Sequence, residues 1–590
     1  MELPSAHPRG RKARVLLTSV FGPYAQDDEF GSRAINPMEL YHNQVTRAQG
    51  EFSLRMFHRS WGITMIQHNI SAPCAVLDFP TRARFARELR RHRYDVVGIS
   101  GIIVNVGKVR EMCRMVRALS PESQIVVGGH VAAIPGIEQM LDADHVVKGE
   151  GIRWMRAYLG DDVAAPIRHP HMESAIGMRA LGLNVPQMRG ETAATVIPSV
   201  GCPLGCNFCT TSAFFGGKGK SVDFYKSGDE IFEVMSELER DMGVWSFFIM
   251  DENFLLHRKR ALRLLELMQA AGKSWALYVF SSVNAIHKYT MEELVQLGIS
   301  WIWMGLESPR SHYAKLNGVD TMALVARLRA HGIKVLGSTI IGLEHHTPDN
   351  IGEEIEYAAA HNTDFHQFML YTPVPGTPLY TQIKEEGRLL DVDLADIHGQ
   401  FKFNFRHAAI SRDDSKRYLD AAFERDYERN GPSVFRICET QLTGWKRYRN
   451  HPDARVRARF AKELQKIGTG YNAALYVMEK RLAKSNPAVA ARVRELRLEI
   501  EAELGWKTRA IRRVLGPVLR LSSLWEARRM AAGVSPEPPT LLERRHWEPA
   551  PYTDPQYMRA QARLVTERAL AEAHAAVTAV TDASSTQTEA

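Results

Sequence analysis

The first 160 residues alternate short apolar runs with longer segments of helical periodicity. The apolar runs are rich in β-branched residues, which is typical of buried strands, and the segments between them space apolar residues three or four positions apart. This alternation predicts βαβ units, and therefore an open parallel sheet with helices on both faces. The predicted strands are residues 14–20, 75–79, 95–100, 124–130 and 144–150.

The same alternation begins again at residue 194 and continues to about residue 380. Six successive βα units predict a complete or partial parallel barrel, whose active site would lie at the carboxyl ends of the strands. A cysteine-rich loop follows the first strand, and MDENF, SSVN, GLESP, IIGLEHHTP and LYTPVPGTPLY follow the others. The predicted strands are residues 194–200, 244–250, 276–281, 300–306, 333–341 and 366–371.

Beyond residue 400 the strand alternation stops and the sequence predicts helices. Residues 531–556 contain SPEPPT and EPAPYTDP, which are typical of a Pro-rich linker, and the final Ala/Thr/Ser-rich stretch is expected to be partly disordered. We therefore expect an α/β protein in four parts. These are a Rossmann-like domain (1–165), a (β/α)6 partial TIM barrel (190–395), a basic, mostly helical region (400–530), and a linker with its tail (531–590).

Composition and charge indicate a compartment and reveal one asymmetry. The chain has 590 residues, of which 45% are hydrophobic and 24% charged, and no apolar run reaches the roughly 18 residues that span a bilayer. Six cysteines are too few for a disulfide framework, which favours a reducing cytoplasm. Residues 401–590 contain 34 Lys and Arg against 23 Asp and Glu, so the positive charge belongs to the C-terminal third.

Three of the six cysteines, Cys202, Cys206 and Cys209, lie on the loop after the first barrel strand. A structural zinc site normally has four protein ligands, and no fourth cysteine or histidine lies close by in the sequence. A three-cysteine catalytic zinc, or a disulfide with one free thiol, fits this spacing poorly. Three thiolates can instead hold three irons of a cubane iron–sulfur cluster and leave the fourth iron open to another ligand.

This Cys-x3-Cys-x2-Cys pattern, with Phe208 before the third cysteine, resembles the signature of the radical S-adenosylmethionine (SAM) superfamily. FFIMDENF, MGLESP, IIGLE and YTPVPGTPLY are similar to barrel motifs of its B12-binding subgroup, and DVVGIS, IVVGGH and VVKGEG resemble that subgroup's cobalamin-binding domain. The resemblance covers roughly residues 14–400. It implies an enzyme with a [4Fe-4S] cluster that cleaves SAM to a 5′-deoxyadenosyl radical, which abstracts hydrogen from an unactivated carbon.

The resemblance also assigns residues to the cluster and to SAM. It makes the three cysteines the metal ligands, and it places Asp251 and Glu252 where carboxylates would accept hydrogen bonds from the SAM ammonium. It assigns no further catalytic side chain. SSVN stands where the subgroup often has an arginine, and the alternative for Glu307 is a salt bridge under the barrel rim. The expected SAM-binding residues are Phe208, Asp251, Glu252, Ser282, Asn284, Glu307 and Gly342.

Cobalamin is expected at the glycine-rich ends of the N-terminal strands, where the backbone can approach a ligand closely. The subgroup's Asp-x-His-x-x-Gly motif is absent, and SVFGPYAQDDEFG (19–31) offers no histidine as a lower cobalt ligand. Either cobalamin binds without that ligand, or the domain has lost cobalamin and forms a wall of the active site. The glycines alone would also be explained by tight strand-to-helix turns. The candidate cobalamin contacts are Ser100, Gly101, Gly128, Gly129, His130, Gly149 and Glu150.

Two C-terminal segments, 445–466 and 506–530, combine arginines with Trp, Tyr and Leu. Three interpretations stay open: a solvated charged face, an interfacial helix that meets a membrane or a lipid substrate, and a nucleic-acid contact, which is the least favoured. In the second segment the apolar residues that would face lipid are Val514, Leu515, Val518, Leu519 and Leu521. We expect a cytoplasmic protein, with peripheral contact to the inner membrane face if the second interpretation holds.

The leading hypothesis is a radical SAM enzyme that functionalises a carbon of a hydrophobic or lipid-like molecule by methylation, C–C bond formation or cyclisation. Modification of a peptide, another natural product or RNA is an alternative. Methylthiolation of tRNA is disfavoured, because it needs a second cysteine cluster and the N-terminal domain has only Cys74 and Cys113. A non-catalytic cobalamin or SAM sensor is the hypothesis from another class. An enzyme of this kind needs an electron donor such as flavodoxin or ferredoxin.

Overall fold

The computed structural model describes residues 3–22, 40–185, 190–534 and 538–547, apart from Pro309, Ser311, His312, Ala314 and Asn317. Most of the loop 19–31 and most of the predicted linker and tail lie outside these residues. The described chain contains two parallel sheets and a set of C-terminal helices, which confirms the predicted α/β fold class.

The N-terminal domain is an open sheet whose strands are buried on both faces. Val15–Ser19 pairs in parallel with Cys74–Asp78 on one side and with Val96–Ser100 on the other, and Gln124–Gly128 and His145–Val146 continue the sheet. Helices on both faces explain why these strands read as nearly continuous apolar runs. The helices are Trp61–His68, Arg82–Arg91, Val106–Leu119, Ile137–Met140 and Gly151–Leu159.

The predicted linker 531–556 contains a strand, so that expectation was wrong for part of the segment. Leu541–Arg545 pairs antiparallel with Cys74–Asp78 and forms the edge of the N-terminal sheet. Arg544 also donates to Glu88 at 2.6 Å, and the Trp547 and Tyr94 rings lie 5.4 Å apart. The edge of a sheet offers unpaired backbone groups, which this returning segment satisfies.

The central domain is a sheet of six parallel strands in the order in which the strands follow one another along the chain. All six predicted strands are present, with bounds that shift by a few residues at most. The strands are Ala194–Val196, Ser246–Ile249, Ala276–Phe280, Ile299–Gly305, Lys334–Ile341 and Phe365–Leu370. The helices are Thr210–Phe214, Gly228–Met242, Arg258–Ala270, Val283–Ile286, Met291–Gln296, Thr321–Ala330, Ile351–Ala360 and Pro378–Glu385.

Two small sheets complete the strands of the described chain. Ser199–Val200 pairs antiparallel with Val222–Asp223, so the two strands bracket the cysteine loop. Arg55–Phe57, Gly177–Ala180 and Leu183–Val185 form a second antiparallel sheet. The sequence analysis predicted neither sheet, because such short strands carry little periodicity.

Six long helices follow the barrel, and two of them, Ser433–Tyr448 and Ala454–Lys466, contact the amino ends of barrel strands, opposite the cysteines. Thr440 donates to Asp364 at 2.6 Å, just before the last strand, and Glu463 accepts from Ser300 at 2.5 Å. The Arg459 guanidinium donates to the Ile299 carbonyl at 3.0 Å. The helices are Arg412–Asn430, Ser433–Tyr448, Ala454–Lys466, Asn472–Ser485, Pro487–Leu504 and Trp506–Ala531.

The basic segment 445–466 is therefore partly internal. Arg459 is 1% exposed and Arg455 is buried, and both guanidiniums donate to backbone carbonyls of the barrel. Trp445 donates to Glu503 at 2.7 Å. These contacts are structural, so of the two basic segments only 506–530 presents an extended apolar surface to solvent. No helix in the described ranges is both long and apolar enough to cross a bilayer.

Gly444 is expected to control the contact between the barrel and the C-terminal helices. A Cβ at Gly444 would lie 2.7 Å from the Gly332 Cα and 2.6 Å from the Phe460 ring. We predict that Gly444→Ala lowers the thermal midpoint and costs roughly 1–3 kcal/mol through overpacking. Gly352→Ala is the matched control, because a Cβ there meets nothing within 4 Å. Equal midpoints for the two variants would contradict the prediction.

Candidate functional site

The three cysteines lie on a tight loop at the carboxyl end of the first barrel strand. Gly201 and Gly205 have φ values of 86° and 64°, and a Cβ at Gly205 would lie 2.5 Å from the Lys218 side chain. Glycine is therefore required for the loop to fold back on itself. The Cys209 amide donates to the Cys206 carbonyl at 3.0 Å, and Cys209 caps the helix Thr210–Phe214 by accepting from the Ser212 amide at 3.5 Å.

The three thiols are free, half-buried and close to one another. Burial raises the pKa of Cys202 to about 11, and the neighbouring Cys206 and Cys209 thiols add to the rise. Burial also raises the pKa of Cys206, while Lys315 opposes that shift. Three thiolates on one loop repel one another, and a cationic iron–sulfur cluster that binds all three would neutralise their negative charge. The residues present therefore fit a cluster held at three of its irons.

Glu307 and Lys315 lie beside the cysteines and pair with each other. Glu307 is 2% exposed and has a φ of 53°, a left-handed conformation that is unfavourable for a glutamate. Lys315 contacts one of its carboxylate oxygens, and the other, Oε2, is buried without a hydrogen-bond partner. Burial lowers the pKa of Lys315, but Glu307 and Cys206 outweigh burial and raise it, so the ammonium stays charged.

Phe208 lies in an aromatic and cationic setting next to this pair. Its ring is 5.2 Å from the Tyr313 ring in an edge-on arrangement, and the Lys315 ammonium lies 5.1 Å from the Phe208 ring centre. Aromatic rings and a cation at this position favour the stacking of a flat ring from a bound ligand. Lys315 and Tyr313 were not predicted from the sequence, because they follow the GLESP motif without a motif of their own.

Asp251 is held by partners within the protein, and its contact with SAM stays a prediction. It is 2% exposed and forms a buried ion pair with Arg260. Ser199 donates to Asp251 Oδ2 at 2.8 Å, and the Asn253 amide donates to Oδ1 at 3.0 Å. Both oxygens are therefore occupied by the protein itself, and the pair holds the strand end in place.

Glu252, the neighbouring carboxylate, is the one that has a free acceptor. Its Oε2 is buried and has no hydrogen-bond partner. Burial raises the pKa of Glu252 to about 7, and hydrogen bonds from its own amide and from Gly201 oppose that shift. The contact with Gly201 places this carboxylate at the start of the cysteine loop. A ligand that brings an ammonium would satisfy it, as the amino group of SAM does.

Ser282 and Asn284 are brought together by a third residue, Asn253. Asn253 accepts from the Ser282 amide at 3.0 Å and donates to the Ser282 hydroxyl at 3.0 Å. Ser282 in turn donates to Asn284 at 2.6 Å. Asn253 also lowers the pKa of Cys202 through a hydrogen bond, so the network reaches the cysteines. The sequence motif MDENF contained Asn253, but its role became visible only from these contacts.

Gly342 packs closely against Phe403, and its predicted contact with SAM stays a prediction. A Cβ at Gly342 would lie 2.3 Å from the Phe403 ring, and its φ is 81°. Its amide donates to His346 Nδ1 at 2.9 Å. His346 Nε2 therefore carries the ring proton, which argues against His346 as a metal ligand even though it lies near His345 and Glu354.

Four of the candidate cobalamin contacts pack within the N-terminal domain. A Cβ at Gly129 would lie 2.6 Å from the Gly101 carbonyl and 3.0 Å from Ser100 Oγ, so the strand ends of Ser100–Gly101 and Gly128–Gly129 close on each other. Glu150 caps the helix Gly151–Leu159 by accepting from the amides of Ile152 and Arg153. For Ser100, Gly101, Gly129 and Glu150 the structure shows tight turns and a helix cap, and their contact with cobalamin stays a prediction.

The other three candidates remain accessible to a ligand. Gly128 and Gly149 have no atom within 4 Å of a Cβ position, which leaves their backbone open. The His130 ring lies 4.9 Å from the ring of Phe214, on the helix that follows the cysteines, and His130 Nε2 is buried without a partner. A nucleotide-like or corrin group can meet this edge, so these residues fit cobalamin in part.

The inner face of the barrel is lined by aromatic rings. Along Ile299–Gly305, the residues Ile302 and Met304 are buried under helices, whereas Trp301 and Trp303 stay partly accessible. The Trp303 ring stacks on Phe280 at 4.8 Å, and Phe280 lies 5.7 Å from Phe248. The alternation of aromatic residues in these strands was visible in the sequence, but it does not show which face points inward.

Asp251 and Glu252 provide a matched test of these roles. We predict that Asp251→Asn costs about 3–5 kcal/mol, because it leaves the Arg260 charge buried and unpaired. In protein without cluster or SAM, Glu252→Gln is expected to be stabilising. Folding raises the pKa of Glu252 from 4.5 to about 7, so ionisation of this carboxylate destabilises the folded protein as the pH rises through that range. The stability gained by Glu252→Gln is therefore complete above pH 7. Denaturation at pH 5 and pH 8 measures both effects, and a destabilised Glu252→Gln at pH 8 would contradict them.

Comparison with known proteins extends these observations. The Radical SAM superfamily matches residues 196–358, and the B12 binding domain matches residues 56–159. The chain is 22% identical to an uncharacterized methyltransferase of Pyrococcus horikoshii, over 53% of this chain and 74% of that protein. It is 25% identical to the hopanoid C-2 methylase of Rhodopseudomonas palustris, over 56% of this chain and 63% of that protein.

The structure of the radical SAM methyltransferase TsrM from Kitasatospora setae aligns with a TM-score of 0.48 and 16% identity, over 77% of this chain and all of that one. The two domain matches coincide with the two parallel sheets, and the cysteine triad lies inside the second match. The chain therefore carries a radical SAM domain preceded by a B12-binding domain, and these are the domain types that bind a [4Fe-4S] cluster with SAM and cobalamin.

Proposed function

We propose that this enzyme methylates an unactivated carbon of an apolar small molecule. The cluster and SAM supply the one-electron chemistry that activates a C–H bond, and cobalamin supplies the methyl group. The chain's own residues have three tasks: to hold these groups near one carbon, to orient the substrate, and to exclude water.

The observation that carries the proposal is that the carboxyl strand ends of the two domains face each other. His130 meets Phe214 of the cysteine loop region at 4.9 Å. Gly376, after the last barrel strand, packs so tightly on the N-terminal domain that a Cβ would lie 2.8 Å from the Ala133 carbonyl oxygen. Hydrogen removal and methyl transfer must act on the same carbon, and strand ends that face each other would permit this.

The aromatic inner face of the barrel supports an apolar substrate. The rings of Phe248, Phe280 and Trp303 form a column, with Trp61 6.0 Å from Phe248 at one side. Trp303 Nε1 donates to Ser338 at 2.8 Å, so its polar edge is satisfied and its ring remains available for contact. Aromatic walls with few polar groups select apolar or flat molecules.

The polar groups concentrate at the mouth of the barrel, beside the cysteines. Glu252 and Glu307 each hold a buried oxygen without a partner, and Asn253 ties Ser282 into the same rim. These groups would fix the polar end of SAM, while the contact with Lys315 holds Glu307 in place. The rim would orient SAM, and the aromatic interior would receive the substrate.

The names of both relatives agree with methyl transfer, and the name of one of them includes an apolar substrate. One relative is named as a methyltransferase and another as a hopanoid methylase. C–C bond formation or cyclisation by the same radical chemistry, and a sensor without turnover, remain as outcomes that the experiments below separate. Electron delivery by a flavodoxin or ferredoxin is part of this proposal.

The ligand role of the cysteine triad is tested by iron content. We predict that Cys206→Ala loses most iron and sulfide after anaerobic reconstitution, because a cubane held at only two irons is unstable. Cys438→Ala, a buried cysteine of the C-terminal helices, is the matched control and should keep the full content. Full iron and sulfide in Cys206→Ala would refute the assignment of this ligand.

The reaction is tested with SAM that carries a deuterated methyl group. The reconstituted protein is incubated with cobalamin, a reductant and an apolar extract of the cells in which the protein occurs naturally. We expect release of 5′-deoxyadenosine and S-adenosylhomocysteine, and transfer of the deuterated methyl group to a molecule of the extract. Release of 5′-deoxyadenosine without label transfer would point to coupling or cyclisation. The absence of both small products with every reductant would favour the sensor.

A further inference from the structure

The C-terminal helix Trp506–Ala531 carries a continuous apolar face that the rest of the described chain leaves exposed. Val514 is 75% exposed, Leu521 70% and Trp506 69%. At about 100° per residue, the exposed apolar positions fall within an arc of roughly 140°. They are Trp506, Ala510, Ile511, Val514, Pro517, Val518, Leu521, Leu524 and Trp525.

The opposite face anchors the helix to the protein. Gly516 packs on Tyr476, where a Cβ would lie 2.8 Å from the ring. Glu526 is buried and pairs with Arg179 at 2.7 Å, and Arg512 pairs with Glu501 at 2.6 Å. The helix is thus fixed in orientation, and its exposed face does not result from a loose terminus.

The charge on this helix has one sign. It contains seven Lys and Arg and a single acidic residue, Glu526, which is buried and already paired. Arg509, Arg513 and Arg520 line one edge of the apolar face, and Arg528 lies at its C-terminal end. None of these four forms an ion pair with another residue in the described ranges. The chemical complement of the face is therefore an apolar surface rimmed with anions.

We propose that this helix docks the enzyme on the surface of an anionic lipid bilayer. Its apolar face would enter the boundary between headgroups and acyl chains, and the flanking arginines would contact lipid phosphates. At about 1.5 Å per residue the helix is ~39 Å long, so it would lie along the surface. The inference rests on this surface alone and does not depend on the proposed methylation.

The other occupants of such a face fit the observations less well. A nucleic acid needs cations or aromatic rings at the centre of its contact, whereas Val514 and Leu521 occupy the centre here. A second copy of the helix would bring two strongly cationic surfaces together. The residues from 548 onward lie outside the described chain, and cover by that segment is an outcome of the test below.

Vesicle flotation of the full-length holoenzyme tests the proposal. We expect binding to vesicles of phosphatidylcholine with phosphatidylglycerol, and at least tenfold weaker binding to phosphatidylcholine alone or at high salt. Val514→Asp/Leu521→Asp and Arg513→Glu/Arg520→Glu are each expected to weaken binding at least tenfold. Arg87→Glu/Arg90→Glu, on an exposed helix of the N-terminal domain, is the matched charge-reversal control and should bind like the wild type.

Hydrogen exchange and light scattering separate the alternatives. On binding vesicles, amide exchange in residues 506–531 should slow, while iron content stays unchanged in every variant. Absence of vesicle binding would overturn the proposal, as would binding that survives both paired substitutions. Self-association that Val514→Asp/Leu521→Asp abolishes, without lipid binding, would assign the face to a second copy. Displacement of vesicles by RNA would also overturn the proposal. The same holds if amide exchange in residues 506–531 is already slow without lipid and does not change when lipid is added.

Discussion

The proposed chemistry depends on one contact, at which the carboxyl end of the N-terminal sheet meets the cysteine loop of the barrel. His130 and Phe214 lie 4.9 Å apart there, and Gly376 approaches Ala133 closely enough that only glycine fits. Two parallel sheets each concentrate ligand-binding positions at the carboxyl ends of their strands. When those ends face each other, groups held by both domains can act on one substrate.

Much of the fold could be predicted from local sequence. Strands such as Val15–Ser19 and Lys334–Ile341 are buried on both faces, so they read as apolar runs that helical periodicity interrupts. The cysteine spacing carried the cluster assignment because the ligands share one loop. The sequence could not show which of two adjacent carboxylates is available to a ligand. In the structure Asp251 pairs with Arg260, whereas Glu252 keeps an oxygen without a hydrogen-bond partner.

The remainder depended on long-range contacts that no local pattern encodes. The strand Leu541–Arg545 forms only because Cys74–Asp78 offers an open edge more than 450 residues earlier. Arg459 belongs to a segment for which a solvated charged face was one interpretation, yet it is buried and its guanidinium donates to backbone carbonyls. Lys315 has no motif around it, although it lies between Glu307 and the cysteines. Basic composition is thus a poor guide to surface charge in this chain, and the helix Trp506–Ala531 was identified as exposed only from its packing.

The most direct test of the central claim is an experimental structure of the anaerobic protein loaded with cluster, SAM and cobalamin. The account predicts that Cys202, Cys206 and Cys209 ligate the cluster, that Glu252 contacts the SAM ammonium, and that the corrin lies between His130 and the mouth of the barrel. A corrin bound away from the contact between the two domains, or a cluster held by other residues, would contradict it.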